Sequence, residues 1–189
     1  QPQGPVPPPR AFAASATHAG SRRLFVFGGG FNTDPFYSDF SVYDDLWAYS
    51  ARANQWTQIH AANAGPSGRS RPSSWMVGNR LYIFGGISAY FATLNDLWVY
   101  NLDSNRWTEV IPDGAAGLPP PRHEAMSGSG AQGGRLILYG GETLGEFGFV
   151  TLGDTWEYNI ARNRWENLTP APAHNIDPVR NLAAAGIPA

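Results

Sequence analysis

One segment of the sequence recurs three times, and this repetition constrains the fold more than any other feature. The copies span residues 45–56, 96–107 and 154–165. In each copy two tryptophans lie nine residues apart (56 − 47, 107 − 98, 165 − 156), and an asparagine precedes the second tryptophan by two residues. A repeat of this kind predicts a chain of similar structural units, each of which buries its apolar face against a neighbour.

A short apolar run that ends in two glycines lies upstream of each copy, at residues 24–29, 81–86 and 136–141. The glycine pairs are 57 and 55 residues apart (85 − 28, 140 − 85). Each run follows a stretch of small residues that an arginine opens: Arg10, Arg69 and Arg122, with a fourth such stretch after Arg180. Together with the strand around the first tryptophan and the strand that begins at the second, these segments predict a four-stranded antiparallel unit.

Each part of the repeat carries its own structural expectation. The run before the glycines is apolar at consecutive positions, which predicts burial on both faces. The glycine pair predicts a backbone with positive φ or a close approach of another strand. Asn54, Asn105 and Asn163 predict left-handed turn residues, because asparagine tolerates that geometry. The strands that follow alternate apolar and polar residues, as outer, half-exposed strands do.

The composition excludes several kinds of chemistry. All 13 basic residues of the 189-residue sequence are arginine, and cysteine is absent. Lysine Schiff bases, disulfides, thiolate nucleophiles and cysteine-bound metals are therefore excluded within this sequence. The net charge of −2 offers no basic footprint for nucleic acid, and no apolar run approaches the ~20 residues of a membrane helix. We expect neither nucleic-acid binding nor membrane insertion.

The order Pro-Arg, small strand, Leu-Tyr-x-Phe-Gly-Gly, loop, Asp-Leu-Trp-x-Tyr, turn and Trp resembles the kelch repeat over about residues 7–187. The resemblance implies an all-β fold, a kelch-type β-propeller segment of four-stranded antiparallel blades. Two positions depart mildly from the pattern, because Gly68 replaces the proline before Arg69 and Thr155 replaces leucine. We expect a Pro-rich leader at residues 1–9, then kelch blades 1, 2 and 3 at 10–60, 61–111 and 112–169, and finally a linker with the first strand of a further blade at 170–189.

The number of repeats predicts an incomplete ring. The sequence supplies three full repeats and one strand, whereas propellers close with roughly four to eight blades. An open arc leaves two apolar blade faces unpaired. We expect the ring to be completed within a longer chain or by another chain, with the strand at residues 181–187 awaiting partner strands.

No spacing of residues in the sequence predicts a catalytic or metal site. The histidines occupy unrelated repeat positions without metal-ligand spacing, and we expect exposed loop positions for all four: His18, His60, His123 and His174. Glu142 and Glu146 share one loop and are an imaginable acid–base or metal pair, but a loop does not define the separation of two carboxylates.

Kelch-like propellers also include enzymes, which the resemblance brings into consideration. The galactose oxidase type uses copper beside a tyrosine cross-linked to a cysteine, which the absence of cysteine excludes for this segment. The plant specifier proteins resemble it in fold and hold iron through Glu-x3-Asp-x3-His, but Glu142 is followed at those spacings by Glu146 and Val150. A sugar epimerase similar to the bacterial sialic acid mutarotase stays open, because missing blades can hold its residues. In this segment we expect no catalytic residue, no metal and no cofactor.

The predicted connections between second and third strands, residues 30–44, 87–95 and 142–153, are rich in aromatic residues. Connections of this kind run over the surface, and aromatic side chains are frequent hot spots of protein interfaces. The residues predicted to contact a partner are Phe36, Tyr37, Phe40, Tyr90, Phe91, Phe147 and Phe149. The alternative is that these rings fold back over the blade tops as small local cores.

Arg10, Arg69 and Arg122 lie on the same predicted face, in an arc around the channel mouth where they can bind carboxylates in a bidentate manner. The resemblance to kelch adaptors, in which arginines of this face bind acidic peptides, implies the same role here. The alternative is a structural pairing with a backbone carbonyl or a neighbouring carboxylate. The aspartates of the repeat, which are interpreted as caps of the turn into the third strand, are Asp45, Asp96 and Asp154.

These observations favour a non-catalytic protein-interaction module or scaffold. It would hold a protein partner through the face formed by the strand 2–3 and strand 4–1 loops, within a larger assembly or a longer chain. The alternative is part of a propeller enzyme or sugar-binding domain, of the oxidase or epimerase type, whose active residues lie in missing blades. An enzyme requires a convergent polar pocket at the axis, whereas an interaction module exposes an apolar loop face.

Overall fold

The computed structural model describes residues 4–32, 40–130 and 134–169. Within them the chain is all-β, without a helix. The strands in chain order are β1 (Ala14–His18), β2 (Arg23–Phe27), β3 (Gly30–Asn32), β4 (Phe40–Val42), β5 (Leu46–Ser50), β6 (Gln55–Ile59), β7 (Ser73–Val77), β8 (Arg80–Ile87), β9 (Thr93–Asn101), β10 (Arg106–Ile111), β11 (Met126–Ser129), β12 (Arg135–Tyr139), β13 (Glu142–Gly145), β14 (Gly148–Thr151), β15 (Thr155–Asn159) and β16 (Arg164–Asn167). The described part of the chain accordingly has no helix of the length and apolar character that crossing a membrane requires.

The strands form three antiparallel four-stranded sheets, which are the blades that the repeat predicts. The strand orders are β1-β2-β5-β6 in the first blade, β7-β8-β9-β10 in the second and β11-β12-β15-β16 in the third. Two further ribbons, β3-β4 and β13-β14, extend from the connections between second and third strands. The sequence pattern predicted these connections only as loops, because their residues follow no repeat. The boundaries of the repeats at residues 60 and 111 stay a prediction.

The glycine pairs and the asparagines adopt the backbone geometry that the sequence predicts. Gly85 and Gly86 have φ of 61° and 100°. A side chain on Gly85 would meet the carbonyl oxygen of Arg122 at 2.7 Å, so the backbone of the next blade excludes it. Asn105 has φ of 54°, and its side chain accepts a hydrogen bond of 2.6 Å from Tyr100. In the second blade the pair does not end the strand, because β8 continues through it with a register shift.

The core lies between the blades and consists of two apolar clusters. The second tryptophan of a repeat packs against the second strand of the preceding blade, with ring centroids 5.3 Å apart for Trp107 and Phe27. Trp165 and Phe84 repeat this contact at 5.0 Å. Trp75, outside the repeat pattern, is buried and donates a hydrogen bond of 2.8 Å to the carbonyl of Gly128. Each junction therefore joins successive blades through equivalent positions.

The expectation that every apolar run is buried on both faces is wrong for the first and third blades. In the second blade all side chains of residues 81–84 are buried, whereas Leu24 and Val26 of the first blade are only half-buried. Tyr139 of the third blade is 45% exposed and Met126 beside it is 69% exposed. A blade face is buried only where a neighbouring blade covers it, and the described blades form no closed ring. The predicted strand at residues 181–187 lies outside the described residues.

Candidate functional site

The connections between second and third strands meet the segments that open the next blade at one end of the blades. The amide of Gly29 donates to the carbonyl of Arg69, and the amide of Gly86 donates to the carbonyl of Arg122, both at 2.9 Å. We call this end the loop face; its described parts are residues 28–32, 40–45, 85–96 and 140–154, with the opening segments 10–13, 69–72 and 122–125. The candidate site residues of the sequence lie here or outside the described part of the chain.

A buried arginine ties together the two ends of each strand 2–3 connection. Arg69 donates from Nη1 to the carbonyl of Gly85 at 3.0 Å and to Oδ1 of Asp96 at 2.6 Å, and from Nη2 to Oδ2 of Asp96 at 2.8 Å. Its Nε donates to the carbonyl of Ser67 at 3.0 Å. The indole of Trp98 donates to the same aspartate at 2.8 Å. We call each arginine with its aspartate an arginine clamp.

The arginine clamps recur in the other two blades. Arg122 pairs with Asp154 at 2.6 and 2.8 Å, and Arg10 pairs with Asp45 at 2.9 Å through Nη2. Burial raises the pKa of Asp154, but the hydrogen bonds from Arg122 and Trp156 outweigh it and hold the pKa below its ordinary value. For Asp45 burial likewise raises the pKa, but the hydrogen bonds from Arg10 and Trp47 outweigh this effect, so the pKa is again below its ordinary value.

The predicted binding arginines are therefore engaged within the chain. The side chain of Arg69 is 1% exposed and that of Arg122 is 0% exposed, whereas the side chain of Arg10 is 7% exposed. The bidentate contact with carboxylate is present, but the carboxylate belongs to the same blade. This geometry corresponds to the alternative of a structural pairing. The aspartates accept hydrogen bonds from arginine and tryptophan. Asp45 and Asp154 lie directly before the third strand of their blades, whereas Asp96 lies within β9.

A different residue of each opening segment reaches the surface, two positions after the clamp arginine. These residues are Phe12, Arg71 and Glu124, and all three have φ between 57° and 58°. The amide of Arg71 donates to the carbonyl of Phe12 at 2.7 Å, and that of Glu124 to the carbonyl of Arg71 at 3.0 Å. The guanidinium of Arg71 lies 4.3 Å from the ring centre of Phe12, and its Nε lies 3.2 Å from a carboxylate oxygen of Glu124. Sequence reasoning missed this row, although its constant offset from the arginine was visible.

An apolar concavity of about 270 Å³ opens on the loop face next to this row. We call it the aromatic pocket; its lining residues are Ala11, Phe12, Gly30, Phe31, Phe40, Arg71, Ile87, Phe91 and Phe149. The rings of Phe40 and Phe91 are stacked at 5.6 Å, although they come from different blades. Phe91 is 45% exposed and Phe149 is 40% exposed. The pocket therefore presents aromatic surface to solvent at the junction of all three blades.

The predicted aromatic residues fall into three groups. Phe40, Phe91 and Phe149 line the aromatic pocket. Tyr90 and Phe147 lie outside it and are 92% and 95% exposed. Phe36 and Tyr37 lie outside the described residues. Some rings instead form a small local core on the loop face: Phe31 stacks on Tyr43, with ring centroids 5.3 Å apart. Phe12 was missed because it belongs to a stretch of small residues that reads as a strand.

Two histidines depart from the expectation of exposed loop positions. His60 is exposed, but His18 is half-buried at the end of β1. His123 is 1% exposed because its backbone pairs with Glu142 and Phe149 packs edge-on at 4.8 Å. Burial lowers the pKa of His123, and the positive charge of Arg71 lowers it further, against the opposing effect of Glu124 and Glu142. His123, Glu124 and Glu142 bring possible metal-ligand atoms within 4.8 Å of one another. His174 lies outside the described residues.

Comparison with known proteins assigns the repeats. The family model of the KLHDC2/KLHL20/DRC7 Kelch-repeats domain matches residues 1–186. Human Kelch domain-containing protein 10 is 33% identical over 88% of this chain and 35% of its own length. The dynein alpha chain of the flagellar outer arm of Chlamydomonas reinhardtii is 28% identical over 88% of this chain and 4% of its own length. The host cell factor homolog hcf-1 of Caenorhabditis elegans is 30% identical over 73% of this chain and 18% of its own length.

This chain thus spans only about a third of the human relative and less of the other two. The three sheets, the glycine pairs and the arginine clamps recur together in every described blade. Kelch repeats are generally non-catalytic modules for protein interaction, and this chain belongs to the kelch-repeat family.

Proposed function

We propose that the loop face binds a protein partner and that the aromatic pocket receives a bulky apolar side chain of that partner. The observation that carries the proposal is the exposed aromatic lining, with Phe12 at 53%, Phe91 at 45% and Phe149 at 40% exposure. Exposed aromatic residues around a concavity are typical of interface hot spots. Tyr90 and Phe147, at the tips beside the pocket, add apolar surface around it.

The arginine clamps support the proposal because they hold the walls of the pocket in place. Arg10 joins Gly28 to Asp45, and Arg122 joins Gly140 to Asp154, so that each connection is closed at its base. A preformed surface loses less conformational entropy on binding than a loop that must be ordered. The clamps therefore contribute to binding through position and not through contact.

Arg71 supplies the polar element of the pocket. Its side chain is 28% exposed, and it stacks on Phe12 while its Nε faces Glu124. An apolar pocket with one oriented cation selects segments in which an apolar residue lies beside an acceptor or an acidic group. We propose this as the chemistry of the partner segment.

The proposal also places the loop face within a larger assembly or a longer chain. Its support is the exposure of the outer faces of the first and third blades, at the half-buried Trp56 and at Met126 and Tyr139. Light scattering of the chain in its native source tests this part. A particle no larger than the 20.5 kDa of one chain would count against it.

A peptide library displayed on phage, selected against the chain, tests the pocket directly. We expect the selected peptides to share a bulky apolar residue and to bind at least about tenfold more weakly after Phe91→Ser, since a hot spot contributes about 2 kcal/mol or more. The matched control is Met126→Ser, which removes an exposed apolar side chain from the outer face of the third blade. Peptides whose affinity changes with Met126→Ser but not with Phe91→Ser would place the binding surface elsewhere.

A further inference from the structure

His123 is a buried polar side chain of the loop face that belongs neither to an arginine clamp nor to the lining of the aromatic pocket. It is 1% exposed, and neither Nδ1 nor Nε2 has a hydrogen-bond partner. Most buried polar groups in proteins have a partner, so an exception calls for a physical reason such as a bound water or ion. A bound water or ion would give the two ring nitrogens the partner that buried polar groups require.

The neighbours of His123 are carboxylates that come from two separate segments. Glu124 follows it in the opening segment, and Glu142 pairs with it through two backbone hydrogen bonds of 2.9 Å. The possible ligand atoms of all three side chains lie within 4.8 Å of one another. Imidazole nitrogen and carboxylate oxygen are ligands that Zn²⁺ binds at about 2.0–2.2 Å.

The charges around the cluster favour a cation. Two carboxylates face one guanidinium, that of Arg71, which lies 3.2 Å from Glu124. The carboxylates therefore exceed the cation by one charge. Glu124 is 41% exposed at its side chain, so it can leave Arg71 and turn towards an ion without the loss of a buried pair.

The geometry points to a metal site: we propose that His123, Glu124 and Glu142 bind one divalent transition-metal ion of the Zn²⁺ class. Three protein ligands leave at least one coordination position for water or for an oxygen of a bound molecule. The ring of Phe149 covers His123 and also lines the aromatic pocket, so the ion lies beside that pocket. The site does not depend on the proposed partner, because its ligands all belong to this chain.

The sequence did not indicate this site, because its ligands have no recognised spacing. His123 and Glu142 are 19 residues apart (142 − 123), and only the backbone bridge between the two segments brings them together. The sequence singled out a different pair, Glu142 and Glu146. Glu146 is exposed in the turn between β13 and β14 and is not part of the cluster.

Calorimetric titration of the whole chain with ZnCl₂ tests the proposal. We expect saturation at one equivalent, and an affinity at least about tenfold lower for Glu142→Gln and for His123→Asn, since even outer-shell changes at metal sites cost 10–100-fold. Glu146→Gln removes the same charge from the same hairpin, and His60→Asn removes an exposed histidine; both are expected to leave the affinity unchanged. Circular dichroism establishes that each variant is folded.

A second readout keeps the proposal testable if His123→Asn does not fold. In the unaltered chain with ¹⁵N-labelled histidine, one equivalent of Zn²⁺ should shift the ring nitrogen signals of His123 and leave those of His18 in place. Absence of saturation at one equivalent, unshifted His123 signals, or a loss of affinity in Glu146→Gln equal to that in Glu142→Gln would each overturn the assignment. Mg²⁺ prefers oxygen ligands alone. If equimolar Mg²⁺ displaced Zn²⁺ from the site, His123 would not be a ligand.

Discussion

The arginine clamps and the aromatic pocket lie side by side on the loop face, yet they use their residues in opposite ways. Arg122 and Asp154 have side chains that are 0% and 6% exposed and that satisfy each other. Phe91 and Tyr90, on the connection of the preceding blade, are 45% and 92% exposed. The clamp recurs in all described blades. The blades contribute unequally to the pocket, with five lining residues from the first blade, three from the second and Phe149 from the third.

The difference teaches how a repeat protein separates stability from recognition. A position that recurs in every unit must solve a problem that every unit has, and here the problem is how to close a connection of variable length. A position that varies between units is free to differ because the fold does not need it. Phe12, Arg71 and Glu124 share one backbone geometry but have three different side chains. The side chains that differ between blades therefore lie at the surface, where a partner can contact them.

The largest expected effect concerns the clamp of the third blade. Arg122→Met leaves the carboxylate of Asp154 buried without its partner, which we expect to lower the free energy of unfolding by about 3–5 kcal/mol. Denaturant unfolding followed by tryptophan fluorescence measures it. Arg135→Met is the matched control: it breaks an ion pair with Glu157 whose arginine is 52% exposed, and we expect a cost of about 1 kcal/mol or less. An equal loss of unfolding free energy in Arg122→Met and Arg135→Met would show that the buried ion pair is no more important for stability than the exposed one.

A smaller effect is expected for the clamp of the first blade. The side chain of Asp45 is 17% exposed, against 6% for that of Asp154. After Arg10→Met water can solvate Asp45 in part, so we expect a cost of about 1–3 kcal/mol by the same unfolding measurement. A loss for Arg10→Met larger than that for Arg122→Met would show that burial does not rank the clamps.

Acid should weaken the clamp of the third blade. Asp154 binds a proton less readily in the folded chain than in the unfolded chain, because Arg122 and Trp156 hold its pKa below 3.8. Its contribution to stability is therefore present above about pH 3.8 and lost as the pH falls through the lower folded value. Unfolding between pH 2 and 6 should show a steeper acid loss in the unaltered chain than in Asp154→Asn. Asp44→Asn, at an exposed position, controls for the loss of one charge; equal slopes for the unaltered chain and Asp154→Asn would contradict the prediction.

The smallest effect on stability is expected at the exposed rings beside the pocket. Tyr90→Ser and Phe147→Ser remove side chains that are 92% and 95% exposed, and substitutions at such sites usually change stability by about 0.5 kcal/mol or less. Thermal unfolding measures the change. A cost above about 1 kcal/mol for either variant would mean that these rings stabilise the loops and are not free for a partner.

The repeated elements were predictable because each depends on local chemistry. The four strands of each blade, the positive φ of Gly85 and Gly86 and the left-handed Asn105 follow from apolar runs, from the missing side chain of glycine and from the tolerance of asparagine. The burial of the apolar runs was predicted correctly only for the second blade. Burial depends on whether a neighbouring blade is present, and the residues of one strand do not carry that information.

The candidate site was predictable as a region but not as a set of contacts. The aromatic density of the connections pointed to the loop face, and Phe40, Phe91 and Phe149 do line a common pocket. The sequence predicted bidentate contact between the arginines and carboxylates, and this contact is present. The carboxylates, however, belong to the same blade, 27 to 35 residues along the chain, and not to a partner. His123 was expected to be exposed and is buried, because its neighbours come from a different strand connection.

The sequence by itself determined the repeating blade, its four strands and the turns between them, since these depend on residues that are close along the chain. Only the tertiary structure decided which polar groups are satisfied and which are left to bind something else. Arg69 and His123 are both buried polar residues of opening segments, and both are 1% exposed. Arg69 has Asp96 within 2.6 Å, whereas His123 has two glutamates nearby and no hydrogen bond to either ring nitrogen. That contrast arises from distances across the fold, which no spacing along the chain records.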